Sequence, residues 1–201
     1  MPGLSSASVS LVPHAKNKTL AVRSIKAEIN TTSDGSLRLR YLLEGELDQL
    51  VIPATAPPVH TDDLWRHTCF ETFVAAGSSP EYCEFNFSPS TQWAAYSFAR
   101  YREEMEPLEC CASIPVEVRQ TNERMELEAR ISSMALRTLP GDGAIHIALA
   151  AVVEEKHDRL SYWALAHPSS SPDFHHPGSF MLHLQRPVVA GAALTDTKVP
   201  S

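Results

Sequence analysis

Two glutamates and an asparagine stand inside segments that otherwise read as buried β-strand. Glu71 lies in LWRHTCFETFV, and Glu84 and Asn86 lie in YCEFNFSPSTQWAAYSFARYR. A carboxylate or amide buried without a partner costs more than its apolar neighbours return, so these groups need a partner, a ligand or a reaction. Side chains alternate across a strand, and period two sorts them into faces. Cys83, Phe85 and Phe87 form an apolar row for the core, which leaves Tyr82, Glu84 and Asn86 on the opposite face. In the preceding strand Cys69, Glu71 and Phe73 share a side, with Phe70, Thr72 and Val74 on the other. In the segment from Leu160 to His167, Trp163, Leu165 and His167 share one face, and Tyr162, Ala164 and Ala166 share the other.

Carboxylates and an amide beside tryptophan have the chemistry of a sugar site. Aromatic rings stack on the apolar faces of pyranoses, while carboxylate and amide groups bond the hydroxyls. Trp65 and Trp163 are the candidate platforms, Glu71, Glu84 and Asn86 the candidate hydroxyl partners, and Arg66 and His175 secondary contacts. Trp93, at the start of a strand, reads as core. The bland reading is that Glu71 and Glu84 pair with arginines such as Arg66 or Arg100 and hold the sheet edge. A glycosidase-like pair would need the two carboxyls about 5–10 Å apart across a cleft. No G-x-S-x-G, Walker-type or G-x-G-x-x-G sequence occurs, and no cysteine has the context of a nucleophile, so a non-catalytic role is expected.

The histidine-rich stretch from His167 to His183 runs through Pro168, Pro172 and Pro177, which is not the fixed turn of a zinc site. It reads as a loop over one end of the fold, with Asp173 bonded to a histidine or a backbone N–H. No cofactor is expected. Haem or a metal is one alternative, with His167 or His175 paired to Met105 or Met134, and a structural or protein-interaction module using the aromatic face is another.

Short strands joined by turns must position these groups. Fifteen prolines against eight glycines suit many brief elements and few long helices. Leu20 to Ile29 predicts a first strand with an irregularity near Ser24, and Ser33-Asp34-Gly35-Ser36 turns it into a partner whose Leu37, Leu39, Tyr41 and Leu43 alternate with Arg38 and Arg40. Leu47 to Ile52 suggests a further short strand. Residues 69–75, 82–88 and 93–101 follow as the central strands. A second hairpin turns at residues 121–124, and its Met125, Leu127, Ala129 and Ile131 again leave one face wet. Ser132 to Leu139 reads as a helical turn, Ala144 to Val153 as a buried strand, and residues 160–166 and 180–184 as the last two. The fold class expected is all-β, a two-sheet antiparallel β-sandwich (jelly-roll or immunoglobulin-like) of about ten strands. Residues 1–18 read as a flexible lead-in, 19–187 as one domain and 188–201 as a flexible tail.

Composition narrows the partners. A net charge of −7 with no Lys/Arg-rich stripe argues against nucleic acid. No stretch approaches the roughly 20 apolar residues of a membrane span, and the first 18 residues lack a secretory apolar core, so a cytoplasmic location is expected. The four cysteines read as reduced, mostly buried thiols. The partner expected is a small sugar-like molecule; oligomeric state is open.

Together LWRHTCFETFV, YCEFNFSPSTQWAAYSFARYR and YWALAHPSSSPDFHHPGSF resemble the DOMON-like proteins related to family-nine carbohydrate-binding modules. The likeness runs from about Leu20 to Leu184. In the sugar-binding relatives a tryptophan stands six residues before a strand glutamate, a spacing that Trp65 and Glu71 keep. An E-x-N-like strand is matched by Glu84 and Asn86, and a later tryptophan closing the other side of the sugar is matched by Trp163. The resemblance implies a β-sandwich with a ligand site on one face or rim. His67-Thr68-Cys69 stands where the relatives carry an acidic pair, which argues against their structural calcium.

Overall fold

The computed structural model describes residues 6–17, 19–140 and 144–186. Its strands are β1 (Ser6–Pro13), β2 (Val22–Thr31), β3 (Leu37–Gly45), β4 (Cys69–Ala76), β5 (Tyr82–Phe87), β6 (Trp93–Phe98), β7 (Glu106–Pro107), β8 (Val116–Gln120), β9 (Arg124–Ile131), β10 (Ile145–Glu155), β11 (Arg159–Ala164) and β12 (Leu182–Leu184). One short helix, α1 (Ser133–Arg137), fills the predicted helical turn, its first turn capped by the Ser132 hydroxyl accepting from the Ala135 N–H. Among the described residues no helix is long and apolar enough to cross a membrane.

The alternating hydrophobic pattern explains the outer strands directly. In β3 the residues from Leu37 to Gly45 are buried at every second position, and β2 does the same after a register shift between Val22 and Ser24. The wet face carries a ladder of ion pairs: Arg38 with Glu128 at 2.5 Å, and Arg40 with Glu126 at 2.9 Å and Glu28 at 3.3 Å. Exposed pairs of this kind contribute little each, about 0–1 kcal/mol. What holds these strands is the apolar face beneath, at about 1.5–3 kcal/mol for each large side chain fully buried.

Where the sequence predicts two separate sheets, the strands form one antiparallel hydrogen-bonded path, β7-β6-β5-β4-β10-β11-β1-β2-β3-β9-β8, with β12 pairing β10. The join is β1, in the segment expected to be a loose lead-in. Its Ser6 to Leu11 pair β2, and its Val12 and Pro13 pair β11. The path curls back so that its two halves bury one core between them: Ile25, Leu39 and Leu127 from one half, Phe70, Phe85 and Ile147 from the other. Tyr41 ties the halves together. Its hydroxyl donates to the Glu71 carbonyl at 2.7 Å and is bonded to Thr72 Oγ1 at 2.8 Å, with its ring 5.0 Å from that of Phe70.

The stretch from Leu47 is also corrected: it forms a single 3-10 turn, Leu47–Gln49, because Leu47 and Leu50 are buried as a turn and not by alternation. The four thiols are unbonded to one another, with Cys69 and Cys83 buried and Cys110 and Cys111 partly so. The tail expected over 188–201 lies outside the described residues.

Candidate functional site

β4 and β5 are buried on both faces, which marks the place where something covers the sheet on the side away from the core. Glu71 pairs with Asn86 and Phe73 with Glu84, so the two glutamates lie diagonally on that outer face. Tyr96 of β6 stands opposite Glu84, Ala150 of β10 opposite Glu71, and Tyr162 of β11 opposite Val152. Small alanines beside the carboxylates leave room above them. The cover comes from two loops. Phe174 and Phe180 pack over Phe73, Tyr82 and Phe98 in a second apolar cluster, and residues 100–105 close the β6 side.

The resulting cavity has a volume of about 680 Å³, within the usual range for small-molecule sites of about 300–1,000 Å³. Five of the seven predicted residues line it: Trp65, Arg66, Glu71, Glu84 and His175. Trp65 sits in a 3-10 turn, Leu64–Arg66, with nearly half its surface exposed at 46%. The Arg66 guanidinium lies 5.1 Å from its ring centroid and pairs with Asp63 at 3.2 Å. Asp63 and Arg102, both lining the cavity, hold left-handed backbone with φ of 61° and 56°. Side chains with a Cβ disfavour that region by about 1–2 kcal/mol, and such outliers concentrate at functional sites.

Asn86 shares that face, opposite Glu71, but is wholly buried and does not line the cavity. Its Nδ2 donates to Glu84 Oε1 at 2.7 Å, so it orients the carboxylate. Trp163 is displaced from its expected role. It is 3% exposed, stands opposite Ala151 within the core between the halves, and donates its Nε1–H to Ser161 Oγ at 3.1 Å. Alternation then turns the preceding residue to the other face, and Tyr162 lines the cavity where a second platform was sought. Trp93 is core, as expected.

Neither anticipated arginine partner meets the glutamates, for Arg66 pairs with Asp63, and Arg100 with Glu103 and Glu104. Glu71 Oε1 is buried with no hydrogen-bond partner. Burial pushes Glu71 well above the usual carboxylate range, and the nearby Glu84 adds to this while Arg102 opposes it. Burial also raises Glu84, against the opposing hydrogen bond from Asn86 and the charge of Arg102. His175 is pushed down to about 4 by burial and by the Arg102 charge, so it is neutral near pH 7. Its Nε2 lies 3.7 Å from Glu84 Oε2, a contact that is therefore not an ion pair. Its Nδ1 is bonded to the Tyr82 hydroxyl at 2.8 Å, and that oxygen accepts from the Arg102 N–H at 3.1 Å.

Asp173 is anchored differently from expectation. It accepts from the Tyr101 hydroxyl at 2.6 Å and from Arg102 Nη2 at 2.9 Å, which straps the loop bearing Phe174 and His175 across the sheet face. Tyr96, Phe98, Arg102, Tyr162 and Phe174 are lining residues that the sequence reading did not single out. Parity could have found Tyr96 and Tyr162. Nothing local marks Arg102 or Phe174, which arrive by long-range packing.

No protein-family model matches the chain, and neither does any curated protein. Among solved structures it is similar to a Bacteroides uniformis protein provisionally described as carbohydrate-binding, at 15% identity and a TM-score of 0.66, covering 87% of this chain and 84% of that one. Two further similarities are to a family 9 carbohydrate-binding module from Caldicellulosiruptor kristjanssonii. The complex with cellotriose gives a TM-score of 0.44 at 11% identity over 74% of this chain and 67% of that one. The complex with glucose gives 0.41 at 12% identity over 74% and 69%.

Proposed function

We propose that this chain is a non-catalytic binding domain for a carbohydrate or a similar polar ring compound, built on the sandwich of a carbohydrate-binding module. The observation that carries the reading is the buried Glu71 carboxyl without a partner, on the floor of a cavity walled by Trp65, Tyr96 and Tyr162. A buried acceptor left empty by the protein is satisfied at low cost by a ligand hydroxyl, and aromatic walls supply stacking. The Bacteroides uniformis fold, itself provisionally linked to carbohydrate, agrees with this reading. In it Trp65, Arg66, Glu71, Glu84, Tyr162 and His175 contact the ligand and Asn86 holds Glu84 in place. A cytoplasmic location and kinship with the DOMON-like proteins complete the proposal.

Binding is favoured over hydrolysis by where the carboxyls stand. Both rise from adjacent strands of one floor, whereas glycoside hydrolysis needs two carboxyls flanking the scissile bond. Haem fits less well. Met105 and His175 both line the cavity, but both His175 nitrogens are turned to protein partners, Tyr82 and Glu84.

The test is calorimetry and tryptophan fluorescence against a panel of mono- and disaccharides. Saturable binding that weakens roughly tenfold in Trp65→Ala, with an unchanged melting temperature, is expected. Silence across the panel, or affinity indifferent to that substitution, would sink the reading.

A further inference from the structure

The charges around the cavity do not balance. Its lining holds four acidic side chains, Asp62, Asp63, Glu71 and Glu84, and two arginines. Arg66 is matched by Asp63 at 3.2 Å, and Arg102 by Asp173 at 2.9 Å. Asp62 accepts from the Tyr96 hydroxyl at 2.6 Å, which brings no charge. His175 is neutral near pH 7. Glu71 and Glu84 thus face the cavity with no cation of their own, at 3% and 4% exposure. Glu71 Oε1 has no hydrogen-bond partner from the protein, and a carboxylate oxygen there accepts, so what is missing is a donor.

We propose that the ligand carries a positive charge: the pocket takes an amino sugar, or a like polyhydroxylated ammonium compound, with its ammonium seated on Glu71 and Glu84. This rests on the sugar-binding reading above and specifies its ligand. An ammonium brings three N–H donors and a charge to a pair of buried carboxyls set diagonally on one face. A hydroxyl would satisfy a hydrogen bond and leave the carboxyl in its neutral form, whereas a cation also draws on the charge the carboxylate can carry. The walls suit the same guest, since Trp65, Tyr96 and Tyr162 line the cavity and aromatic rings attract a nearby cation through their quadrupoles.

The unliganded site stores a proton for this exchange. Glu71 and Glu84 are held toward their neutral forms by burial. When the ammonium arrives, a neutral carboxyl releases its proton to solvent and the carboxylate receives the cation. Total charge is conserved, and binding of the ammonium releases protons to the buffer. A neutral sugar releases none.

The experiment is titration calorimetry of the full chain near pH 7 with glucosamine, galactosamine, glucose, galactose and glucuronate, each in phosphate and in MOPS, two buffers of different ionisation enthalpy that carry no polyhydroxylated amine. The expected result is that an amino sugar binds at least roughly tenfold more tightly than its neutral parent. Glucuronate should bind worst, and only the amino sugars should show a binding enthalpy that changes with the buffer. Glu71→Gln and Glu84→Gln, both checked for an unchanged far-ultraviolet spectrum, should each shrink the amine preference and the proton release. Neutral sugars binding as well as their amines, with no proton release, would overturn the charge assignment and leave the sugar site standing. Failure of all five sugars to bind would remove both readings.

Discussion

A carboxyl buried without a partner should announce itself in the pH dependence of stability. Glu71 lies well above its ordinary value of 4.5 in the folded chain, first through burial and then through the proximity of Glu84. Folding therefore favours its protonated form. The associated stability is fully present below the ordinary value and is lost as the pH rises toward the folded one. Between those two values the folded state holds a proton that the unfolded chain has released, and each pH unit removes about 1.4 kcal/mol. With a denaturant slope of about 2 kcal/mol/M, that is a fall in the urea midpoint of about 0.7 M per pH unit. Glu71→Gln keeps the shape of the side chain and removes the titration. Urea unfolding from about pH 5 to about pH 8 should then show the wild type declining more steeply than the variant, with Glu71→Gln the more stable at the upper end. Asp173, held below the usual range despite partial burial by Tyr101 and Arg102, acts in the opposite sense. Its contribution is present above the ordinary value and lost toward acid, outside this window. Parallel pH profiles for wild type and Glu71→Gln would refute the account, and with it the claim that this carboxyl is kept neutral.

Three further outcomes follow from the packing. Trp163→Ala should destabilise the chain by about 3–5 kcal/mol in chemical unfolding, because the ring fills the core between the halves; a near-neutral result would mean it faces the site after all. Tyr41→Phe removes two bonds that span the halves, to the Glu71 carbonyl and to Thr72 Oγ1. It should cost about 1–2 kcal/mol by the same measurement without creating a cavity. Asp173→Asn should loosen the loop held by Tyr101 and Arg102, weakening sugar affinity about three- to tenfold by fluorescence titration; unchanged affinity would separate the strap from the site.

Much of the fold is legible in the chain because local pattern and tertiary environment agree. β3 and β9 alternate cleanly, since one face is wet and the other packed. β1 escaped notice because its residues SASVSLVP are small and polar, and every side chain except Leu11 is at least partly exposed. Its strand character comes from pairing first with β2 and then with β11, which no local signal announces. The stretch at Leu47 misled for the converse reason: an apolar run can be buried as a turn.

The sequence by itself determined which face of each central strand is core, because period two leaves no choice once Cys83, Phe85 and Phe87 are seen together. It also marked Glu71 and Glu84 as groups in need of explanation. Tertiary structure decided the rest. It chose between Trp163 and Tyr162, since a strand buried on both sides presents an aromatic residue either way and only the neighbouring strands say which one meets the cavity. It matched Arg66 and Arg100 with other acids, and it brought Phe174 and His175 across the sheet from far along the chain. The unpaired carboxyls are thus a property of the closed cavity: the same glutamates on an open strand would be solvated and would need no ligand.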